Sequence, residues 1–324
     1  MAQKQKLGIR AYSFCFKKYR SRGADKIFEL NSELRFPTAD EEEYIYPSAL
    51  DLFHDIITYS SIMDDKEGNQ QLFRCSFDDV NRGETDSYRY LIFSVHSGYY
   101  GFPSDLIDRT TKQTVYRKTK DQADVKEFYV MVVIPKDSGE AHATRGLIYF
   151  QEIGVYGVKT ITVNSMQEFF SKKLGLTFVT QNLAHDFYLD KLFASGIIKK
   201  IRLARNVSSA DSADRLYGQH VGREERAITP IQVTRELTQQ LRHIAEGRYT
   251  FYTFDDINYP EVKMEVAIGD RTRTINLHGI EELSIEEALP DDLLLADGTI
   301  SMESFTAHMH TIAEEYLEHL PTSL

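Results

Sequence analysis

The sequence predicts an α+β protein, a sheet-rich N-terminal part followed by a smaller mixed one, and three observations carry that expectation. Alternating apolar residues separated by Gly, Pro, Asp and Ser clusters recur from Gln71 to Val163, a period of two that suits mixed or antiparallel strands. Apolar residues at spacings of three and four appear at Leu50, Phe53, Ile56 and Ile57, and again at Phe305, Met309, Ile312, Tyr316 and Leu320, the period of a helix. Between these regions, residues 206–230 hold Ser208, Ser209, Asp211, Ser212, Asp214, Gly222 and Pro230, the composition of a connection. The expected division is a domain over 1–205, a linker over 206–230 and a small α+β domain over 231–324.

Taken in order, Leu7, Ile9, Tyr12, Phe14 and Phe16 alternate as a strand does, and the acidic run Asp40 to Glu43 precedes the first helix. Strands are expected at 72–77, 88–95, 126–134, 145–151 and 158–163. Asn164 or Ser165 then caps a helix through Leu174, a strand follows at 176–180, and a helix from about His185 stops at Gly196. Ile197, Ile198, Ile201 and Leu203 form a basic strand. After the linker come a helix over 232–245, a short aromatic strand over 249–252, and a hairpin from Glu261 to His278 turning at Gly269-Asp270. A C-terminal helix capped by Ser301, with acids on its outer face, closes the order.

With 324 residues, 42% hydrophobic and 27% charged, the chain can bury a core without disulfides or metals. Its two cysteines are Cys15 and Cys75, and Cys15, alternating between Phe14 and Phe16, reads as strand interior in a reducing compartment and not as part of a disulfide framework, so a cytoplasmic location is expected. The N-terminus lacks the apolar stretch of a signal peptide, and the longest unbroken apolar run, Phe128 to Ile134, is far short of a membrane span. No membrane insertion is expected.

Charge is segregated. Residues 274–324 hold 11 acids and no Lys or Arg, which accounts for the whole net charge of -11 and leaves the other 273 residues with 38 acids against 38 bases. The first 26 residues carry eight bases, Lys17, Lys18 and Arg20 among them, against Asp25 alone. Such patches bear on partners rather than on fold.

No P-loop, dinucleotide-binding glycine fingerprint, paired-cysteine zinc site or nucleophile elbow is present, so no motif fixes a reaction. Asp255-Asp256 followed by Glu261-Val262-Lys263 resembles the acids and lysine with which metal-dependent nucleases hold Mg²⁺ and contact phosphate, which makes Asp256, Glu261 and Lys263 the catalytic candidates. Against this, the two halves lie close in sequence, they flank Pro260, and a half-exposed hairpin would alternate in the same way. No cofactor is expected unless that reading holds, when it would be Mg²⁺. His310 and Glu314 stand at i and i+4, and His54-Asp55 and His185-Asp186 are adjacent pairs. Surface histidines that cap, pack or solvate account for all of them.

The stronger constellation is basic and aromatic. His96-Ser97-Gly98-Tyr99-Tyr100-Gly101 ends a strand, Arg109, Lys112, Arg117, Lys118 and Lys120 follow, and Gly154-Val155-Tyr156-Gly157-Val158-Lys159 makes a second glycine-aromatic turn. Lys199, Lys200, Arg202 and Arg205 lie on the basic strand. Together with the N-terminal bases they offer phosphates a cationic surface and bases a stacking platform, with Lys17, Lys18, Arg20, Tyr99, Tyr100, Arg117, Lys118, Lys199, Lys200 and Arg202 as the contacts. Basic residues on strands also commonly just face water.

Arg145-Gly146-Leu147-Ile148-Tyr149-Phe150 is similar to the RNP strand of an RNA-recognition domain, but Leu147 replaces the aromatic that follows the glycine. The stretch from Arg145-Gly146-Leu147-Ile148 through Gly157-Val158-Lys159-Thr160 to Lys199-Lys200-Ile201-Arg202 resembles uncharacterised bacterial proteins encoded near antiviral defence systems. That resemblance covers about a fifth of the chain and transfers no functional residue. It implies a cytoplasmic protein that senses or binds phage nucleic acid or protein within an assembly.

The expectation is therefore a non-catalytic nucleic-acid-binding component. A Mg²⁺-dependent nuclease and a subunit whose acidic helix docks a partner protein or a second copy are the alternatives. The segment with Glu281, Glu282, Glu286, Glu287, Asp291, Asp292 and Asp297 either covers the basic surface or simply keeps the protein soluble.

Overall fold

The computed structural model describes residues 7–18, 27–37, 43–66, 70–76, 81–182, 197–208, 221–229, 239, 241, 243–244, 252–255, 257–268, 271–277, 284–295, 298–318 and 320. Several expectations lie outside these residues: Arg20, Asp256, the helix from about His185, the turn at Gly269-Asp270, most of the helix over 232–245, and Glu281, Glu282 and Asp297.

The chain gathers into two compact units that interleave along the sequence. The first takes residues 1–7, 13–180 and 291–324, the second 8–12 and 181–290, so the stretch 206–230 falls inside the second.

The first unit holds β1 (Leu7–Lys18, of which Gly8–Tyr12 go to the second unit), β2 (Leu34–Pro37), β3 (Glu43–Tyr46) and helix α1 (Ala49–Tyr59). It continues with β4 (Asp64–Lys66), β5 (Gln71–Cys75), β6 (Asn81–Glu84), β7 (Tyr88–Tyr99), β8 (Ser104–Ile107) and β9 (Thr114–Lys118). Then come β10 (Asp124–Pro135), β11 (Gly146–Ile153), β12 (Tyr156–Gly157), α2 (Lys159–Leu174), β13 (Leu176–Asn182) and, at the C-terminal end, α3 (Met302–Leu317). The strand order is β1-β11-β10-β7-β5-β4, with β13 on β1, β12 on β11 and β6 on β7, while β2–β3 and β8–β9 form separate two-stranded ribbons.

Register explains the unbroken apolar run in β10. Tyr129, Met131 and Val133 stand opposite Ser94, Ile92 and Tyr90 of β7, so they share one face with Tyr88. Helix α3 covers that face: the rings of Tyr129 and Phe305 lie 5.0 Å apart, those of Tyr149 and Tyr316 6.0 Å, and the Tyr88 hydroxyl shares a 2.6 Å hydrogen bond with His310 Nδ1. The other face meets Phe14 and Phe16 of β1, Phe53 of α1, Phe170 of α2 and Phe178 of β13, a cluster of rings with neighbours 5.0–6.0 Å apart. A strand covered on both faces needs no polar side, which is why residues 128–134 do not alternate. Gly146 serves this packing, since a Cβ there would fall 2.5 Å from the Phe14 ring. Leu147, Ile148, Tyr149 and Phe150 are all buried, so the stretch similar to an RNP strand is a core strand with no exposed ring.

Two expectations are corrected in this unit. Residues 158–163 are not a strand: α2 starts at Lys159, because Ile161, Thr162, Met166, Phe169, Phe170 and Leu174 meet the core at helical spacing and outweigh the strand preference of Val158, Thr160, Ile161, Thr162 and Val163. Nor does the C-terminal helix offer its apolar stripe to a partner, because Phe305, Met309, Ile312 and Tyr316 are buried in this unit. Its Ser301 cap is as expected, with the hydroxyl accepting from the Ser304 N–H at 3.0 Å.

The second unit contains β14 (Ile197–Ser208), β15 (Val221–Ile228), β16 (Tyr252–Phe254), β17 (Ile257–Tyr259), β18 (Glu261–Ile268), β19 (Arg271–Leu277) and β20 (Ser284–Ala288). Its order is β15-β14-β18-β19-β20-β1, and β16–β17 is a short ribbon. The expected hairpin is β18–β19, paired from Val262↔Leu277 to Ile268↔Arg271. Residues 206–208 and 221–228 are strand where a linker was expected, since β14 and β15 pair from Ile201↔Ile228 to Ser208↔Val221. Val262, Met264, Val266, Ile275 and Leu277 form the apolar face. On that face Arg273 pairs with Glu287 directly across from it on β20, both almost wholly buried. Glu286 and Glu287 thus belong to a sheet strand and not to a mobile acidic cover, and Glu287 is committed to Arg273.

Candidate nucleic-acid interface

Three strands of the first unit finish side by side. Gln71 of β5 and Asp124 of β10 both stand opposite Tyr99 of β7, and Lys126 stands opposite Ser97. Because side chains alternate along a strand, Gln71, Ser97, Tyr99, Asp124 and Lys126 all point to one face. Gly98 between them lets β7 and β10 close up, as a Cβ there would fall 2.1 Å from the Asp124 carbonyl oxygen.

Two adjoining hollows open on this face. One, of about 440 Å³, lies between Ser97, Gly98, Tyr99, Lys118, Asp124, Lys126, Phe128 and the turn Val155-Tyr156-Gly157. The other, of about 510 Å³, lies between Lys66, Gln71, Tyr99, Gly157, Glu168 and the polar side of α2 at Thr160, Asn164 and Ser165. They share Gln71, Tyr99 and Gly157 and so make one two-lobed cleft of ligand-binding size. The two glycine-aromatic turns, more than fifty residues apart in sequence, are brought to the same cleft.

The rings are available for stacking: Tyr99 is 52% exposed and Tyr156 41%. Lys126 Nζ lies 4.8 Å from the centre of the Tyr156 ring and 2.6 Å from Asp124. Lys66 reaches Asp64 at 2.5 Å and Glu168 at 3.4 Å. The hydrogen bond to Asp64 and the nearby Glu168 outweigh burial and hold this ammonium above the usual lysine range. Glu168 is held below the usual carboxylate range, first by Lys172 and then by Lys66. Lys118 has no acidic partner among the described residues. Beneath the cleft, Gln71 Nε2 donates to Ser97 Oγ at 2.8 Å and Ser97 donates to the Leu72 carbonyl at 3.0 Å, which fixes the floor. The first turn of α2 borders the cleft, and Val158 at its cap position supplies no side-chain acceptor for its N–H groups.

The residues expected to contact nucleic acid are not gathered in one place. Tyr99 and Lys118 line the cleft, whereas Tyr100 donates to Asp65 at 2.9 Å. Arg117 stands on the β8–β9 ribbon, 3.4 Å from Asp105. Lys17 and Lys18 end β1 and do not line the cleft. Lys199, Lys200 and Arg202 belong to the second unit, where Lys199 donates to Thr272 at 3.2 Å and Arg202 to Glu265 at 3.0 Å. There the arginines alternate with acids: Arg205 and Arg226 both hold Glu224, at 2.6 and 3.0 Å, and Arg223 forks onto Glu261 at 2.8 and 2.7 Å. The bond from Arg205 holds Glu224 below the usual range against the opposing effect of burial, and Glu261 pushes Arg223 up.

That fork bears on the nuclease candidates. The Glu261 carboxylate is taken up bidentately by a guanidinium, and Lys263 stands opposite Arg202 and Asn276 in the sheet. Among the described residues no group of three or more His, Cys, Asp or Glu is placed to hold a metal ion. No helix among them is long and apolar enough to cross a membrane.

Sequence reasoning missed Lys66, Gln71, Lys126 and Asn164 as cleft residues. Lys126 had a signal, standing two residues before the apolar run of β10. Lys66 and Gln71 had none, because only the pairing of β4, β5 and β7 brings them to the cleft. No protein-family model, curated protein or solved structure matches the chain.

Proposed function

We propose that the first unit binds single-stranded nucleic acid in the two-lobed cleft, without catalysis. The observation that carries this reading is the convergence of two half-exposed tyrosines, Tyr99 and Tyr156, with Lys66, Lys118 and Lys126 around one opening. Every base has a face that stacks on an aromatic ring, and lysines between the rings meet the phosphates, so the arrangement suits a strand without demanding a sequence. Binding by the second unit has less support, because its arginines are already matched by Glu224, Glu261 and Glu265. The resemblance to proteins encoded near antiviral defence systems gives the reading its setting, in which the nucleic acid would be that of a phage.

Fluorescence anisotropy of a labelled oligonucleotide tests it. Tyr99→Ala and Tyr156→Ala should each weaken binding by about 1–3 kcal/mol, the range of one lost base stack. Lys118, the cleft lysine without an acidic partner among the described residues, should contribute about 0.7 to the slope of log affinity against log salt, and Lys118→Gln should flatten the plot by that amount. Unchanged affinity in both tyrosine variants would overturn the proposal.

A further inference from the structure

The β8–β9 ribbon rises from the rim of the cleft. Its base is closed by the Gly101 N–H donating to the Lys120 carbonyl at 2.7 Å, next to Tyr99 and Lys118. Among the described residues the strands pair only with each other, through Ser104↔Lys118, Asp105↔Arg117, Leu106↔Tyr116 and Ile107↔Thr114. Phe102, Leu106, Ile107 and Val115 are 58–76% exposed, so the ribbon is apolar on its surface and covers no core. A two-stranded hairpin of that kind is marginal in water unless something packs on it.

Charge says what that is. Between Phe102 and Lys120 there are five bases and two acids, in a chain whose net charge is -11. Both acids are engaged: Asp105 lies 3.4 Å from Arg117, and Asp108 accepts from the Thr110 and Thr111 N–H groups at 2.9 and 2.6 Å. The bond from Thr111 holds the Asp108 carboxyl below the usual range. Asp108 thereby sets the turn, with Lys112 at φ 60°, and leaves Arg109, Lys112 and Lys120 without acidic partners among the described residues. A second copy meeting it ribbon to ribbon would set like charges together, whereas a polyanion with exposed base steps would meet both its cations and its apolar side chains. A two-stranded ribbon is also what the major groove of a duplex admits, at about 12 Å across.

We propose that the preferred ligand is a duplex carrying a single-stranded overhang, with the ribbon lying on the duplex and the cleft taking the overhang. This rests on the binding of single strands proposed above. Three labelled probes test it by anisotropy: the single strand alone, a blunt duplex, and the same duplex with that strand as an overhang. Engaging both parts at once should favour the tailed duplex over either part by about a hundredfold. Arg109→Gln/Lys112→Gln/Lys120→Gln should remove that advantage and leave single-strand affinity within about twofold of the parent, as should Phe102→Ser/Leu106→Ser. These are exposed positions, and circular dichroism checks that the variants fold.

Equal affinity for the single strand and the tailed duplex would overturn the inference and leave the cleft reading standing. No binding of any probe would remove both. Ribbon variants that change the sedimentation coefficient but not the preference for the tailed duplex would make the ribbon a contact between copies, and the inference would fall.

Discussion

Gly98 shows how one residue sets the cleft. A methyl group there meets the backbone of Asp124, which cannot swing aside as a side chain would, so β7 and β10 must part where Tyr99 and Lys126 project. Gly98→Ala should cost about 1–3 kcal/mol in urea denaturation, as overpacking does, and should weaken oligonucleotide binding as well. Cys75 tests the core below. Burial pushes its thiol from 9.0 up to about 12, so the neutral form is favoured in the folded state. Its folded value lies above the unfolded one, and the stability it contributes is therefore complete below pH 9 and lost as pH climbs toward about 12. The urea midpoint of the parent should fall more steeply between those values than that of Cys75→Ala, and parallel profiles would refute the assignment. Tyr99 was legible because a glycine-aromatic turn announces itself, whereas Gln71 is an ordinary polar residue until the register of β5 and β7 is known.

At the level of elements, α3 was readable and α2 only in part. The α3 stripe repeats cleanly and carries a serine cap, and Ser301→Ala should cost about 1 kcal/mol of stability, measured by thermal or urea unfolding. The first turns of α2 are rich in β-branched residues, and only the core they meet decides for helix. The ribbon β8–β9 escaped detection because its apolar residues come as the pairs Leu106-Ile107 and Val115-Tyr116 with no long alternation. Charge counting likewise cannot see that Glu287 lies opposite Arg273. Glu287→Gln breaks a buried ion pair and should destabilise the second unit by about 3–5 kcal/mol, far beyond the effect of an amide exchange on an exposed acid. A loss below 1 kcal/mol in the urea transition would show that the pair is unimportant.

For the molecule as a whole, the two units are legible as fold class but not as segments, because neither is a continuous stretch of chain. Composition points to 206–230, while the second unit is completed by Gly8, Ile9 and Arg10 pairing with Ala288, Glu287 and Glu286. A fragment of residues 181–290 alone should expose the edge of β20 and self-associate in sedimentation, and the same fragment with residues 7–12 attached by a flexible linker should stay monomeric. Monomeric behaviour of both would show that the first strand is dispensable.

The sharing of β1 also sets an order of events in the cell. Gly8 leaves the ribosome about 280 residues before its partner Ala288, an interval of roughly 14–56 s at ordinary elongation rates. Throughout it an apolar strand with Leu7, Ile9, Phe14 and Phe16 waits without its full set of neighbours. The nascent chain is then a natural client for chaperones that hold extended apolar segments, and slower synthesis should raise that dependence.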